Sequence, residues 1–150
     1  MNDYQLIIIG AGPGGYTAAL RAAQLGMKTA VAEYREAGGT CLNRGCVPTK
    51  ILLHAAEVAR DAREGGSIGV HCGDVRVDME EMFAYKRQVS ETLSQGVETL
   101  LKKAKVPVLR GRATVTAPHR VTVTNDRETA EYTADHILLA TGAVQARPPV

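Results

Sequence analysis

The sequence predicts an α/β domain in which helices flank a mainly parallel sheet and a small β-meander is inserted late in the chain. Three observations support this fold class. Apolar runs of strand length alternate with helix-length segments, a glycine-rich turn follows the first run, and three short strand-like stretches lie close together near the end. The 150 residues include one Phe and no Trp, so the core must be aliphatic, which suits parallel strands buried on both faces.

Length and charge narrow the function classes. The chain has the size of one domain, and its net charge of +2 comes from interspersed acidic and basic residues, which favours neither nucleic acid nor a membrane surface as a partner. The apolar run at residues 6–9 is far too short to span a bilayer, and no targeting leader precedes it. Three cysteines without a secretion signal do not predict a structural disulfide framework. We therefore expect a cytoplasmic protein.

The beginning of the chain has the order of a dinucleotide-binding βαβ unit. Residues 4–9 predict a buried central strand, residues 17–25 a helix, and residues 29–32 a second strand that ends at the acid Glu33. The turn after the first strand carries three glycines at the spacing G-x-G-x-x-G, namely Gly10, Gly12 and Gly15.

Each of these residues has a physical role in nucleotide binding. Gly10 permits the tight turn, Gly12 leaves room for a pyrophosphate, and Gly15 lets the helix pack against the strand. The N–H groups at the start of the helix face the phosphates. Glu33 can accept hydrogen bonds from a ribose hydroxyl, and its charge would repel a 2′-phosphate, so the residues favour FAD or NAD over NADP. The alternative is a merely structural turn.

Two cysteines lie five residues apart in the segment GGTCLNRGCVPTK. On a regular helix the α-carbons of Cys41 and Cys46 would be ~8.5 Å apart, whereas a disulfide needs about 4.4–6.8 Å. We predict a short helical turn from Thr40, a break at Gly45 and Cys46, and a helix from Val47. Thiols beside a helix N-terminus favour a lowered pKa and exchange chemistry. The spacing alone also allows two buried small side chains or half of a metal site.

A zinc site that recruits His71 and Cys72 lacks the usual ligand spacing, so we predict no metal. These two residues lie in a glycine-rich stretch, residues 65–73, which predicts a surface loop. A long helix is then predicted over residues 77–105, with Asp78 as N-cap and Glu81 as its capping-box partner. Its apolar face is predicted to comprise Met82, Val89, Leu93, Val97, Leu100 and Ala104.

The last part of the chain returns to strands. Residues 106–109 predict the third parallel strand, and residues 135–140 predict a later return to the parallel sheet, leading into Thr141 and Gly142. Between them, three strand-like stretches with turn residues predict the meander: residues 113–116, 120–124 and 129–133. Residues 147–150 predict an extended linker.

The order of these motifs resembles the N-terminal part of the pyridine nucleotide–disulfide oxidoreductases. The resemblance is carried by GAGPGG, Glu33, GGTCLNRGCVPTK and ILLATGA, and it covers nearly the whole chain. In that family the first dinucleotide motif binds FAD. Lys50 lies four residues after Cys46, as in the dihydrolipoamide dehydrogenases and mercuric reductases, whereas glutathione-reductase-like members place it one residue earlier, where this chain has Thr49.

The resemblance implies roles for individual residues. Cys46 would lie against the flavin ring, Cys41 would exchange with the dithiol or disulfide substrate, and Lys50 would sit near the flavin N5. The FAD contacts it implies fall on Gly10, Gly12, Gly14, Gly15, Glu33, Thr40, Lys50, Ala113, Thr141, Gly142 and Ala143.

The resemblance also implies what the 150 residues do not contain. Family members continue with an NAD-binding domain, a second FAD-contacting segment and a dimerisation domain whose partner subunit supplies a His–Glu pair. We therefore expect residues 1–150 to be a partial FAD-binding domain, incomplete for turnover, from a homodimer that oxidises a lipoyl-bearing carrier protein with NAD. The alternatives are a mercuric- or glutathione-reductase-like flavoprotein, a stand-alone FAD-binding electron-transfer subunit, and an NAD-dependent dehydrogenase domain.

Overall fold

The computed structural model describes residues 2–144 and 146, so the linker predicted at residues 147–150 lies outside the described residues. In chain order the elements are β1 (Tyr4–Ile9), α1 (Pro13–Gln24), β2 (Thr29–Glu33), α2 (Gly39–Asn43), α3 (Cys46–Glu64), a 3₁₀ turn (Gly65–Ile68), α4 (Met79–Lys103), β3 (Val108–Arg110), β4 (Arg112–Ala117), β5 (Arg120–Thr124) and β6 (Thr129–Leu139).

The strands form one six-stranded sheet in the order β3-β2-β1-β6-β5-β4. β3, β2, β1 and the second half of β6 are parallel, while β4, β5 and the first half of β6 form an antiparallel meander. The predicted α/β class, with a parallel sheet, flanking helices and an inserted meander, is confirmed. Because β1, β2 and the second half of β6 are parallel, their carboxyl ends meet at one edge of the sheet. The strand order along the sheet reverses at β1, which is where such sheets form a ligand-binding crevice.

β6 differs from the prediction. We predicted separate strands over residues 129–133 and 135–140, but one continuous strand serves both functions. Thr133 pairs with Arg120 in the meander, and the next residue, Ala134, pairs with Tyr4 of β1. Neither Gly nor Pro interrupts the chain here, and the small side chain of Ala134 is fully buried, so the strand changes partners without a break.

Aliphatic side chains fill both faces of the parallel sheet. Ile8 and Val31 pack with Leu101 of α4 on the helical side. Ile7 and Ile9 pack on the other side with residues of the meander, including Val121. Burial on both faces explains why residues 6–9 of β1 form a continuous apolar run, with no polar alternation.

The helix after the glycine turn begins earlier than predicted. α1 starts at Pro13, not Thr17, with Gly12 as its N-cap. Proline fits the first helical position because its fixed φ suits the helix and its missing N–H would have been unpaired there. The prediction was wrong because glycine and proline in this first turn carry weak helix propensity.

The buried face of α4 overlaps the predicted one at Val97 but is turned toward Ser90, Ser94 and Leu101. Its cap is as predicted, since the Asp78 carboxylate accepts a hydrogen bond from the Glu81 N–H at 3.0 Å. However, two predicted core residues are largely exposed, Leu93 at 41% and Leu100 at 49%. The buried positions are Ser90, Ser94, Val97 and Leu101. Two small hydroxyl side chains therefore lie on the buried face of α4.

Candidate functional site

A cleft of about 830 Å³ opens at the carboxyl ends of β1, β2 and β6. This edge is where open α/β sheets bind ligands. Its walls come from the glycine turn, the end of β2, the cysteine segment, the start of β4 and the turn after β6. The predicted site residues that line it are Gly10, Gly12, Gly14, Glu33, Thr40, Cys41, Cys46, Ala113, Thr141, Gly142 and Ala143.

Gly10 and Gly15 are glycines because two backbone segments meet there. A Cβ on Gly15 would lie 1.8 Å from the Gly10 carbonyl oxygen, so α1 can rest on the end of β1 only without a side chain at this position. Gly10 has φ +106°, and a Cβ there would lie 2.3 Å from the Ala140 carbonyl oxygen. Gly15, expected among the FAD contacts, is buried and outside the cleft lining, so it packs the turn and does not line the cleft.

Gly12 and Gly39 form a close backbone contact on the floor of the cleft. A Cβ on Gly39, whose φ is +57°, would lie 2.8 Å from the Gly12 α-carbon. A Cβ on Gly12 would meet nothing nearer than 4.0 Å, so the space above it is open to the cleft. With the N-terminus of α1 directly behind it, this is a cradle in which backbone N–H groups can receive an anionic group.

Glu33 ends β2 with a buried carboxylate. Its side chain lines the cleft although the residue is only 6% exposed. One carboxylate oxygen accepts the Ala11 N–H and the other accepts the Arg35 N–H, both at 2.8 Å. Sequence reasoning predicted a ribose partner but missed this second role, in which Glu33 ties the glycine turn to the chain leaving β2. Each oxygen retains a lone pair for a ligand hydroxyl.

An aromatic and two guanidinium groups stand next to Glu33. The Tyr34 ring has the guanidinium carbon of Arg35 at 5.1 Å and that of Arg112 at 4.9 Å from its centroid. All three residues line the same end of the cleft. Sequence reasoning missed them, although Tyr34 and Arg35 directly follow Glu33 and Arg112 directly precedes Ala113. Cation–π contact holds the two long side chains against the wall.

The cysteine segment folds much as predicted. α2 ends at Asn43 and α3 begins at Cys46, so the break falls at Arg44 and Gly45. Gly45 permits the tight return, because a Cβ there would lie 3.0 Å from the Thr40 carbonyl oxygen. Both cysteines carry free thiols, and Cys46 is the group with the largest effect on the pKa of the Cys41 thiol. The break therefore brings together two sulfurs that a continuous helix would keep apart.

Comparison with known proteins identifies the family. The sequence model of the family described as pyridine nucleotide-disulphide oxidoreductase matches residues 4–150. The chain belongs to this family. It is 42% identical to a dihydrolipoyl dehydrogenase of Rhizobium etli and 44% identical to a mitochondrial one of Arabidopsis thaliana, each over 95% of the chain. A Bacillus subtilis dihydrolipoyl dehydrogenase is 46% identical over 78% of the chain.

Solved structures agree with the fold. The chain superposes over its whole length on a HOCl-induced flavoprotein disulfide reductase from Escherichia coli, solved as a Cu(II) complex, with a TM-score of 0.84 and 29% identity. It spans 31% of that chain and between 25% and 33% of the three curated relatives. The chain thus spans a quarter to a third of the length of the proteins it resembles.

The pKa of the Cys41 thiol is raised above the ordinary value for cysteine. The hydrogen bond that Cys41 donates to Cys46 is the largest cause, followed by burial, while the positive charge of Lys50 acts in the opposite direction. The expectation of a lowered pKa is therefore wrong for Cys41, because the neighbouring sulfur outweighs the nearby cation.

Lys50 lies on α3, one turn after Cys46. Its side chain is exposed and outside the cleft lining, unlike the other predicted catalytic residues. Its positive charge acts to lower the pKa of the Cys41 thiol, against the larger effect of Cys46. Its distance from a flavin stays a prediction.

Two kinds of feature are absent from the described residues. Within residues 2–144 and 146, no three His, Cys, Asp or Glu side chains group together as metal ligands would. Over the same residues, no helix combines the length and hydropathy needed to cross a bilayer.

The raised pKa of Cys41 predicts a pH dependence for its alkylation. The thiolate is the reactive form, so a raised pKa leaves less of it at neutral pH and slows the reaction. We expect the iodoacetamide rate at Cys41 to rise with pH through a midpoint above that of an ordinary cysteine. In Cys46→Ala the midpoint should fall, because the hydrogen bond and the charge of Cys46 are both removed. Peptide mapping of labelled Cys41 across the thiol titration range measures both profiles.

The exposed Cys72, labelled in the same samples, is the control, and its profile should be identical in the two proteins. A Cys41 midpoint that is unchanged or raised in Cys46→Ala would contradict the assignment of the hydrogen bond as the cause.

Proposed function

We propose that this chain is the FAD-binding part of a flavin-dependent disulfide oxidoreductase of the dihydrolipoyl dehydrogenase type. One observation carries the proposal: a single cleft is lined at one part by the nucleotide-binding features, Gly12 and Glu33, and at another by the thiol pair Cys41 and Cys46. A nucleotide-binding domain without redox chemistry would have no use for the thiols in that cleft. The 40–46% identity to dihydrolipoyl dehydrogenases supports the same substrate class.

The cleft fits a dinucleotide. Its volume lies within the roughly 300–1,000 Å³ of small-molecule sites. The bare backbone at Gly12 and Gly39 is a cradle that any side chain would fill, and it stands at a helix N-terminus, where a pyrophosphate is stabilised. Glu33 adds a buried acceptor for ribose hydroxyls and a charge that disfavours a 2′-phosphate.

From these features we propose which residues would hold each part of FAD. Gly12 and Gly14 with the α1 N-terminus would hold the pyrophosphate, Glu33 the adenosine ribose, and the backbone at Ala113 the adenine side. Contacts nearer the flavin would come from the remaining residues predicted for it, Gly10, Thr40, Lys50, Thr141, Gly142 and Ala143.

The cysteines would perform dithiol–disulfide exchange. A thiolate of a dihydrolipoyl group attacks the Cys41 sulfur of the Cys41–Cys46 disulfide, and Cys46 leaves as a thiolate. The second substrate thiol then displaces Cys41, which is released as a thiol. The substrate becomes a disulfide and loses two electrons and two protons: one proton goes to Cys41, and the other goes to solvent when the attacking thiolate forms. Uptake of a proton from solvent by Cys46 then gives the two free thiols seen in the structure.

Bound FAD supplies the two-electron redox chemistry that passes these electrons onward. Because the chain spans about a third of its relatives, we extend the proposal to the whole protein: NAD as the final acceptor, a lipoyl-bearing carrier protein as substrate, a homodimer, and a cytoplasmic location.

Anaerobic spectroscopy tests the proposal. The chain is first titrated with FAD by flavin fluorescence and then reduced by two electrons. We expect a long-wavelength absorbance band that depends on a thiolate beside the flavin. It should disappear in Cys46→Ser and persist in Cys41→Ser, which makes the two variants matched controls. The unmodified chain with FAD, dihydrolipoamide and NAD should give no sustained NADH production.

Saturable binding of NAD in place of FAD would contradict the proposal and favour a dehydrogenase domain. A band that persists in Cys46→Ser, in protein saturated with FAD, would reverse the roles of the two cysteines.

A further inference from the structure

One buried carbonyl fastens the cysteine segment to α4. Ala37 is fully buried, and its carbonyl oxygen accepts a hydrogen bond from the Ser94 hydroxyl at 2.7 Å and another from the Asn43 side-chain amide at 3.0 Å. Asn43, at the end of α2, also donates to the Gly39 carbonyl at 3.0 Å. The carbonyl thus joins the chain before α2 both to α2 itself and to α4.

The same short stretch is held from the opposite side by the glycine turn. The Gly38 N–H donates to the Ala11 carbonyl at 2.8 Å, and Gly39 lies against the Gly12 backbone. α2 begins at Gly39, so Cys41 falls in its first turn. The position of the Cys41 sulfur therefore depends on two anchors: the glycine turn on one side and Ser94 on the other.

A neighbouring serine shows that the Ser94 bond is specific. Ser90 lies one helical turn earlier on the same face of α4 and has the same 7% exposure. Among the described residues its hydroxyl has no hydrogen-bond partner. If the serines on this face served only close packing, the two positions would be equivalent. Only Ser94 bonds to the cysteine segment.

We propose that Ser94 is a positioning residue for the Cys41–Cys46 redox pair. The inference rests on the proposed exchange function of the two cysteines. Disulfide formation needs the two α-carbons within about 4.4–6.8 Å and the sulfurs in a defined geometry. By fixing the Ala37 carbonyl, Ser94 keeps Cys41 within reach of Cys46 and so raises the effective concentration of one thiol at the other. Without this anchor, the disulfide forms less readily.

The dithiol–disulfide equilibrium of the full chain tests this role. In dithiothreitol redox buffers the two thiols transfer two electrons and two protons to oxidised dithiothreitol, forming the protein disulfide and reduced dithiothreitol. Alkylation and peptide mapping then give the fraction of Cys41–Cys46 disulfide. We expect Ser94→Ala to shift the equilibrium constant toward the dithiol by roughly two- to tenfold, the equivalent of one hydrogen bond. Cys41 should also be alkylated faster relative to Cys72.

Ser90→Ala is the matched control and should behave as the unmodified chain does. Asn43→Ala removes the other donor to the Ala37 carbonyl, and it should shift the equilibrium in the same direction even if Ser94→Ala fails to fold. A loss of thermal stability in Ser94→Ala with an unchanged redox equilibrium would show a purely structural role and overturn the inference. If the unmodified chain forms no Cys41–Cys46 disulfide in any buffer, the proposed function fails together with the inference.

Discussion

Gly15→Ala is expected to destabilise the chain by about 3 kcal/mol or more, at the upper end of overpacking effects. The new methyl group would lie 1.8 Å from the Gly10 carbonyl oxygen, which is backbone and cannot turn away as a side chain would. The start of α1 would have to move off the end of β1 by more than an ångström, and with it the floor of the cleft. Urea unfolding followed by circular dichroism measures the loss.

Gly14→Ala is the control for the effect of replacing glycine by alanine in the first turn of α1. It changes the adjacent residue in the same helical turn, and a Cβ there meets nothing within 4 Å. Alanine in place of glycine should leave the free energy of unfolding unchanged or raise it by up to about 1 kcal/mol. Equal urea midpoints for Gly15→Ala and Gly14→Ala would refute the close contact between α1 and β1.

Glu33→Gln is expected to lower the free energy of unfolding by about 3 kcal/mol in the absence of any cofactor. The two carboxylate oxygens accept separate backbone N–H groups, from Ala11 and Arg35, at 2.8 Å. The glutamine amide has one oxygen and one NH₂ group, so whichever way it turns, one backbone N–H faces another donor. The cost combines a lost charge-assisted hydrogen bond and an unsatisfied buried N–H, each worth roughly 1–3 kcal/mol.

Glu36→Gln is the matched control three residues along the chain. Glu36 pairs with Arg44 at 2.8 Å, and this hydrogen bond lowers the pKa of its carboxyl group, but both side chains are about half exposed. Exposed pairs contribute at most about 1 kcal/mol, so the effect should be small. If Glu33→Gln unfolds at the same urea concentration as Glu36→Gln, Glu33 has only the ligand-binding role predicted from the sequence.

Local sequence patterns were sufficient to predict many of the residues that line the cleft. The glycine spacing, the acid after β2 and the break at Gly45 depend on backbone conformations within a few residues, and such preferences are visible in the chain itself. The residues they identified converge on one cleft, apart from Gly15 and Lys50. The α/β class followed from the aliphatic composition and from the alternation of strands and helices for the same reason.

Three predictions failed because they depended on contacts between residues that only the fold brings together. The apolar spacing of α4 does not by itself say which residues meet the core: Leu101 packs with Ile8 and Val31 of the sheet, and Ser94 bonds to Ala37, 57 residues away. β6 was divided in two because its two pairing partners cannot be seen in its own sequence. The direction of the Cys41 pKa shift depends on a sulfur whose distance is set by the fold of the segment.

The sequence by itself determined the family and the fold class, and it predicted which thiols react, because these inferences follow from local conformational preferences and from motif spacing. The tertiary structure decided how the motifs are held together: Gly15 against Gly10, the Glu33 carboxylate between two backbone segments, and Ser94 on the Ala37 carbonyl. The physical reason is that a buried hydrogen bond or a close backbone contact joins residues far apart in the chain, and neither partner's own sequence specifies the other.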